Sequence, residues 1–190
     1  MNKVYENVRE LIGNTPLIRI NDFSLPNKVN IYAKLEFFNP GGSVKDRLGL
    51  ELIRDAEEKG KLKPGGTIIE PTAGNTGIGL ALAAVGRGYN VIFVVPEKFS
   101  EEKQELMRAL GATVINTPTE DGIKGAIEKA RQLEQEIEGA YCPQQFANPA
   151  NPAAHYKTTG PEIWSHLDGK GDICVSGAGS CGTCMGVSRY

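Results

Sequence analysis

Several features that would assign this 190-residue chain to a specialised class are missing. The longest apolar run, at residues 78–85, is broken by Gly79 and is too short to span a bilayer. The opening residues, MNKVYENVREL, lack the apolar segment of a secretory signal. Four cysteines do not make a disulfide scaffold, and a net charge of −2 leaves no basic surface for nucleic acid or anionic membranes. We therefore expect a cytoplasmic globular protein that binds neither nucleic acid nor a membrane.

The sequence does contain a regular alternation of strand and helix patterns. The predicted strands cover residues 29–37, 67–70, 91–95, 113–116, 140–146 and 172–176. The predicted helices cover residues 43–59, 76–85, 100–111, 122–137 and 161–167. Strands roughly 22 residues apart with helices between them indicate βαβ units, and hence an α/β fold with a parallel sheet covered on both faces.

A segment rich in proline and asparagine, NPANPAAH at residues 148–155, interrupts this alternation. We interpret it as a crossing between two lobes. The smaller lobe is predicted to be residues 43–147, and the larger lobe residues 1–42 and 148–190. The larger lobe is expected to be incomplete, because the chain ends at Tyr190 within an apparent helix.

Three glycine-rich junctions lead from a predicted strand into a predicted helix. They are NPGGS at 39–43, TAGNTG at 72–77 and GAGSCGT at 177–183. Backbone N–H groups in such loops can bind an anion over a helix N-terminus, and α/β folds bind ligands at the carboxyl ends of their strands. One such loop can serve packing alone, but three in one small chain predict a binding site.

The third junction allows a different interpretation. Gly177, Gly179 and Gly182 match the G-x-G-x-x-G pattern of dinucleotide-binding proteins. That pattern belongs in an early βαβ unit with an acidic residue about 20 positions later, which this chain does not reach. No G-K-[S/T] sequence closes any of the loops, so a Walker P-loop is absent. Nucleotide binding remains the less favoured alternative.

Lys45 stands at an unusual position for a cation. Ser43 is predicted to be the N-cap of the helix, with Asp46 as its acidic partner three residues later. Lys45 then lies in the first turn, where the helix dipole disfavours a positive charge by roughly 0.3–1 kcal/mol. A lysine that loses its proton readily can attack a carbonyl, and pyridoxal 5′-phosphate combines such a carbonyl with a phosphate. The alternative is a solvated lysine beside Asp46.

The motifs together resemble the cysteine synthase and cystathionine β-synthase family of fold type II pyridoxal-phosphate enzymes. The resemblance covers nearly the whole chain and is carried by NPGGSVKDR, EPTAGNTGIGLA, VVPEKFSEEKQELMRALGA, QQFANPANP and the loop at 177–183. EPTAGNTG with VPEKFS and INTPTE is similar to the bacterial O-acetylserine-dependent cystathionine β-synthase branch. The resemblance implies fold type II architecture, a homodimer, and replacement of the β-substituent of O-acetylserine (or serine) by sulfide or homocysteine.

The resemblance also implies roles for individual residues. Lys45 matches the lysine that binds the cofactor covalently and moves the α-proton, and Asn75 matches the asparagine that bonds the ring hydroxyl of the cofactor. The phosphate loop is implied to comprise Gly179, Ser180, Cys181, Gly182 and Thr183. The substrate carboxylate is implied to bind Thr72, Ala73, Gly74, Asn75, Thr76 and Gln145.

Two of these positions depart from the family pattern. Position 73 is alanine where many members have serine, which removes a hydroxyl donor. Position 181 is cysteine where the phosphate loop has glycine, and a side chain there is expected to weaken the phosphate site if positive φ is required. These departures and the chain end leave a second hypothesis open, namely a truncated, catalytically impaired member that acts as a folded or interaction module.

The remaining candidates favour structural roles. Cys181 and Cys184 form a C-x-x-C pair, which is compatible with redox chemistry or half a metal site, although no second ligand pair exists for zinc. Cys142 and Cys174 lie in predicted strands and are expected in the core. Trp164 is expected in the core or an interface, and neither histidine belongs to a recognisable catalytic or metal-binding pattern. No metal site is predicted.

Overall fold

The computed structural model describes residues 4–21, 29–72 and 74–190. The strands of the described chain are β1 (Leu17–Ile20), β2 (Ile31–Lys34), β3 (Thr67–Pro71), β4 (Asn90–Pro96), β5 (Thr113–Thr117) and β6 (Ala140–Tyr141). The α-helices are α1 (Lys45–Glu58), α2 (Asn75–Ala84), α3 (Glu101–Ala109), α4 (Gly122–Glu136), α5 (Ala150–Lys157), α6 (Thr159–His166) and α7 (Gly182–Arg189). Short 3-10 helices cover Val8–Leu11, Glu36–Phe38 and Thr119–Asp121.

Four strands form a parallel sheet in the order β5-β4-β3-β6, and β1 pairs with β2 in an antiparallel ribbon. In the centre, Ile69 of β3 is in register with Ile92 of β4. Every residue of β3 is buried, as expected for a central strand of apolar sequence between two helical layers. The parallel direction brings the carboxyl ends of β3 and β6 together, and with them Thr72, Thr76 and Gln145.

Helices cover both faces of this sheet, as predicted. The side chains of Ile69 and Val94 pack with Ala126 and Ala130 of α4 on one face. The neighbouring Ile68 and Phe93 point to the other face, because side chains alternate along a strand. There they join the larger core with α1, α2 and α3. The predicted α/β class is confirmed, whereas the division into two lobes at residues 43 and 147 stays a prediction.

Most of the segment predicted to cross between the lobes, residues 150–155, lies in helix α5. Pro149 caps α5 and Pro152 lies in its first turn. Proline is tolerated there because the first N–H groups of a helix have no intrahelical acceptor, so both prolines fit a helix start.

Three predicted strands differ from the structure. The first is shortened to Ile31–Lys34 and the fifth to Ala140–Tyr141. Residues 172–176 form no strand in the described part of the chain, and Cys174 there is exposed, contrary to expectation. Cys142 is buried, as predicted. Trp164 is 53% exposed, which contradicts a place in the core.

Within the described residues, no helix is long and apolar enough to cross a membrane. The same part of the chain contains no group of three or more histidine, cysteine, aspartate or glutamate side chains that could hold a metal ion.

Candidate active site

The NPGGS loop is closed by the first turn of α1. The Ser43 hydroxyl accepts a hydrogen bond from the Lys45 N–H at 3.2 Å, although the helix cap itself is Val44. Asp46 turns back and accepts the Gly41 N–H at 2.5 Å. Burial raises the pKa of Asp46 to about 6 despite this bond. The acidic residue therefore fixes the loop and does not pair with the lysine.

The Lys45 amine is half-buried and makes no hydrogen bond or ion pair with any residue that the structure describes. Burial lowers its pKa. The predicted suppression of the charge is thus supported, with desolvation as its cause.

A close helix crossing places α2 against the start of α1. A Cβ atom at Gly79 would lie 2.3 Å from the Lys45 carbonyl oxygen, and one at Gly49 would lie 2.3 Å from the Gly79 carbonyl carbon. Only glycine permits such an approach of two backbones. The glycines therefore bring the N-terminus of α2, which begins at Asn75, beside Lys45.

The TAGNTG loop is held by its two threonines. Thr72 Oγ1 accepts hydrogen bonds from the Gly77 N–H at 3.2 Å and the Gly74 N–H at 3.4 Å. Thr76 Oγ1 donates to Gln145 Oε1 at 2.6 Å, and both residues are buried. Three predicted substrate-binding residues, Thr72, Thr76 and Gln145, thus meet at one edge of the sheet. Ala73 lies outside the described residues.

The glycine loop at 177–183 leads into α7. A Cβ at Gly177 or Gly179 would meet no described atom within 4 Å, so the backbone there faces open space. Cys181 adopts φ = 60°, the left-handed region that favours glycine, and its exposed thiol lies 3.8 Å from the Gly179 carbonyl oxygen. The backbone conformation is therefore the one expected of a glycine, with a cysteine in its place.

These residues fit pyridoxal 5′-phosphate. The cofactor requires a reactive amine and a cradle of N–H groups for its phosphate. Lys45 offers a half-buried amine with no described partner, and the loop offers open backbone at two glycines. Asn75, assigned to the ring hydroxyl, begins α2 and is exposed.

His155, which the sequence left unassigned, connects α6 with Thr183 of the proposed phosphate loop. It is fully buried, and its Nε2 lies 3.2 Å from Thr183 Oγ1 while its Nδ1 lies 2.9 Å from Thr159 Oγ1. Burial, reinforced by the charges of Lys45 and Arg47, lowers the pKa of His155 to about 4. The imidazole is therefore neutral at pH 7 and near enough to Lys45 to be influenced by its charge.

Glu70 was also missed. This residue of β3 is 1% exposed and accepts the N–H groups of Gln144 at 2.9 Å and Gln145 at 3.1 Å. Burial raises its pKa to about 7, against the effect of these two bonds. Glu70 thereby holds the backbone of Gln145 next to Thr76. The available signal in the sequence was a charged residue directly after the apolar pair Ile68 and Ile69, at the start of the EPTAGNTG motif.

An ion cluster anchors α1 at its buried side. Arg47 donates to both oxygens of Glu36 and to both oxygens of Glu162, at 2.6–2.9 Å. Lys34 adds a bond to Glu162 at 2.6 Å. This cluster connects α1 with β2, the following 3-10 helix and α6, and so fixes the helix that carries Lys45.

A parallel α/β fold with a half-buried lysine amine, a glycine loop and a polar cluster at the carboxyl ends of its strands is typical of enzymes that use a phosphate-bearing cofactor. The pyridoxal-phosphate dependent enzyme family matches residues 8–190, and the chain belongs to that family.

Relatives with more specific names cover the chain almost completely. It is 59% identical over 187 residues to an O-acetylserine dependent cystathionine beta-synthase of Bacillus subtilis, covering 98% of this chain and 61% of that protein. It is 54% identical over 185 residues to a cysteine synthase of Helicobacter pylori, covering 96% of this chain and 60% of that protein. The chain thus spans about three fifths of the length of these relatives.

Solved structures of similar proteins support the same family assignment. The O-acetylserine dependent cystathionine beta-synthase of Helicobacter pylori has a TM-score of 0.94 and 52% identity, with 100% of this chain and 62% of that chain covered. The cystathionine beta-synthase of Bacillus anthracis has a TM-score of 0.83 and 65% identity, with 100% and 71% covered. The resemblance found in the sequence and the fold type II architecture are confirmed.

Proposed function

We propose that this chain carries the cofactor and first-substrate sites of an enzyme that replaces the β-substituent of O-acetylserine (or serine) with a sulfur nucleophile. The observation that carries the proposal is the Thr76–Gln145 hydrogen bond at the start of α2, the helix whose backbone packs against that of Lys45. The half-buried Lys45 amine has no partner among the described residues. The names of the close relatives support the same reaction.

Each group in the site has a task in this reaction. Lys45 Nζ binds the cofactor, and in its neutral form accepts the proton from the substrate α-carbon. Thr72, Gly74, Asn75 and Thr76, with Ala73 between them, present the α2 N-terminus to the substrate carboxylate. Gln145 adds its side-chain amide. Pyridoxal phosphate supplies an electron sink for the β-elimination.

The phosphate is assigned to the loop after residue 176. Its contributing residues are proposed to be Gly179, Ser180, Cys181, Gly182 and Thr183. Neutral His155 orients the Thr183 hydroxyl through the 3.2 Å contact. The acceptor is sulfide or homocysteine, and the product is cysteine or cystathionine. We further propose a cytoplasmic homodimer.

A second candidate function rests on Cys181. A side chain at a left-handed position of the proposed phosphate loop supports a catalytically impaired module. The two hypotheses differ in whether the chain retains the cofactor.

The test is covalent labelling. The chain is loaded with pyridoxal phosphate, reduced with borohydride and digested, and the labelled peptide is sequenced by mass spectrometry. We expect the label on Lys45 alone. Lys45→Ala should abolish the label. Lys59→Ala is the control and should keep it, because Lys59 lies on the surface, where its ammonium pairs with Asp55 at 2.7 Å. A label on Lys34 or Lys59 in the parent chain, or none, would refute the proposed role of Lys45.

A further inference from the structure

Helix α5 places one side chain between the two halves of the proposed site. Asn151 is 1% exposed, and its Nδ2 donates to the Gln145 carbonyl oxygen and to Ser180 Oγ, both at 2.9 Å. Gln145 belongs to the proposed carboxylate clamp and Ser180 to the proposed phosphate loop. A single amide group therefore connects two segments that are 35 positions apart in sequence.

The position of this amide is fixed from the other side. A Cβ at Gly182 would lie 1.8 Å from Asn151 Oδ1, and a Cβ at Gly186 would lie 2.4 Å from the Pro152 carbonyl oxygen. Helices α5 and α7 therefore touch through their backbones, and Asn151 has no room to withdraw toward α7. The contact with Asn151 therefore leaves no room for a side chain at position 182.

The remaining atom of the amide is unsatisfied. Asn151 Oδ1 is buried and has no hydrogen-bond partner in the described part of the chain. Buried polar atoms in folded proteins are almost always hydrogen-bonded, so one that is not calls for an explanation. An apolar residue would fill the same space without this cost, and it would lose the two bonds of Nδ2.

We propose that Asn151 is a positioning residue that couples the carboxylate clamp to the phosphate loop. Its Nδ2 sets the distance between the Gln145 backbone and Ser180, so that ordering one segment orders the other. Because such coupling is reciprocal, occupation of the phosphate loop favours binding at the clamp and the reverse. The inference rests on the proposed function for the identity of the two ligands, but the coupling of the two segments does not depend on them.

The first experiment compares pyridoxal phosphate with pyridoxal, which lacks the phosphate. In Asn151→Ala, we expect the dissociation constant of pyridoxal phosphate to rise at least tenfold and that of pyridoxal to rise less than threefold. Asn148→Ala is the matched control, because Asn148 also makes three local bonds, to Tyr141, Pro143 and Ala150, but does not contact the loop. An equal loss for both ligands, or the same selective loss in Asn148→Ala, would overturn the proposal.

Asn151→Leu guards against a variant that merely leaves a cavity. Its side chain branches at the same atom as asparagine and adds no charge, but it cannot donate to Gln145 or Ser180. We expect the same selective loss of pyridoxal phosphate as in Asn151→Ala. An affinity within twofold of the parent chain would contradict a role of the Nδ2 donors.

Hydrogen exchange of the cofactor-free chain separates this inference from the proposed function. We expect Asn151→Ala to accelerate exchange at residues 144–147 and 177–183 together, while Asn148→Ala spares 177–183. Faster exchange at only one of the two segments would overturn the coupling, even if the parent chain binds pyridoxal phosphate. If the parent chain does not bind the cofactor but both segments respond, the proposed function fails and the coupling stands.

Discussion

Cys181 occupies a backbone conformation that the loop requires and that cysteine disfavours. A residue with a Cβ at positive φ costs roughly 1–2 kcal/mol relative to the right-handed region, and glycine avoids this cost. We expect Cys181→Gly to raise the free energy of unfolding by up to about 1 kcal/mol and to tighten the binding of pyridoxal phosphate by up to about tenfold. Denaturant titration and cofactor titration in reductant measure the two effects.

The control for Cys181→Gly is the other cysteine of the pair. Cys184 lies inside α7, where glycine should lower the free energy of unfolding by about 1 kcal/mol. We therefore expect the two substitutions to change the free energy of unfolding in opposite directions. The same sign for both would mean that the φ value of Cys181 does not govern the stability of the loop.

The buried carboxyl group of Glu70 should make the stability of the chain depend on pH. Its pKa is raised from an ordinary value of 4.5 to about 7, because burial favours the neutral form. Its contribution to stability is thus fully present below pH 4.5 and is lost as the pH rises to 7. A shift of this size corresponds to roughly 3 kcal/mol. The free energy of unfolding of Glu70→Gln, measured relative to the parent chain, should rise by about that amount between pH 4.5 and 7.

In this difference the contributions of the other titrating groups, including His155, cancel, because both proteins contain these groups. Glu58→Gln, on the exposed surface of α1, is the matched control for replacing a carboxylate by an amide. A constant difference between Glu70→Gln and the parent chain would mean that Glu70 is ionised throughout.

The candidate residues that the sequence alone could mark are those with a local signal. Lys45 is marked by its place in a first turn, and Gly177 and Gly179 by their spacing before a helix. Asn151 and Glu70 could not be found in this way, because their roles arise from contacts with residues 29 and 74–75 positions away. The family resemblance supplied the roles of Thr76 and Gln145, and the hydrogen bond between them came from the structure.

At the scale of elements, the ion cluster on α1 should matter more than the ion pairs on its surface. Burial alone would raise the pKa of Glu162, but the hydrogen bonds from Arg47 and Lys34 hold it down at about 2. We expect Glu162→Gln to lower the free energy of unfolding by up to about 3 kcal/mol, because it leaves a buried guanidinium with one carboxylate instead of two. Thermal or denaturant unfolding at pH 7 measures this loss.

Arg54→Ala is the matched control on the same helix. Its guanidinium pairs with Glu58 at 2.8 Å, but both side chains are more than half exposed, and such pairs contribute little. Its unfolding should therefore nearly coincide with that of the parent chain. Equal losses in Glu162→Gln and Arg54→Ala would contradict a structural role of the buried cluster.

The elements also differ in how far sequence could predict them. The periodicity of α1 and α4 was sufficient, because each has one apolar face, which packs on α2 in the case of α1 and on the sheet in the case of α4. Helix α5 was missed because its two prolines are helix breakers anywhere but at a helix start, and its start is fixed by tertiary packing on α1 and α7. The Ile173–Val175 pattern is typical of a strand, yet a strand requires a neighbour to pair with.

For the whole molecule, we expect substitution of a buried apolar residue to lower the free energy of unfolding far more than substitution of an exposed one. Ile173 and Val175 are 86% and 90% exposed, whereas Ile69 in β3 has no exposed surface. We expect Ile173→Lys to change the free energy of unfolding by less than about 0.5 kcal/mol, because no apolar burial is lost. Ile69→Ala should cost about 2–5 kcal/mol, because it leaves a cavity between the sheet and α4. Denaturant unfolding of the three proteins gives both values, and a loss above 1 kcal/mol in Ile173→Lys would show that residues 172–176 are packed in solution.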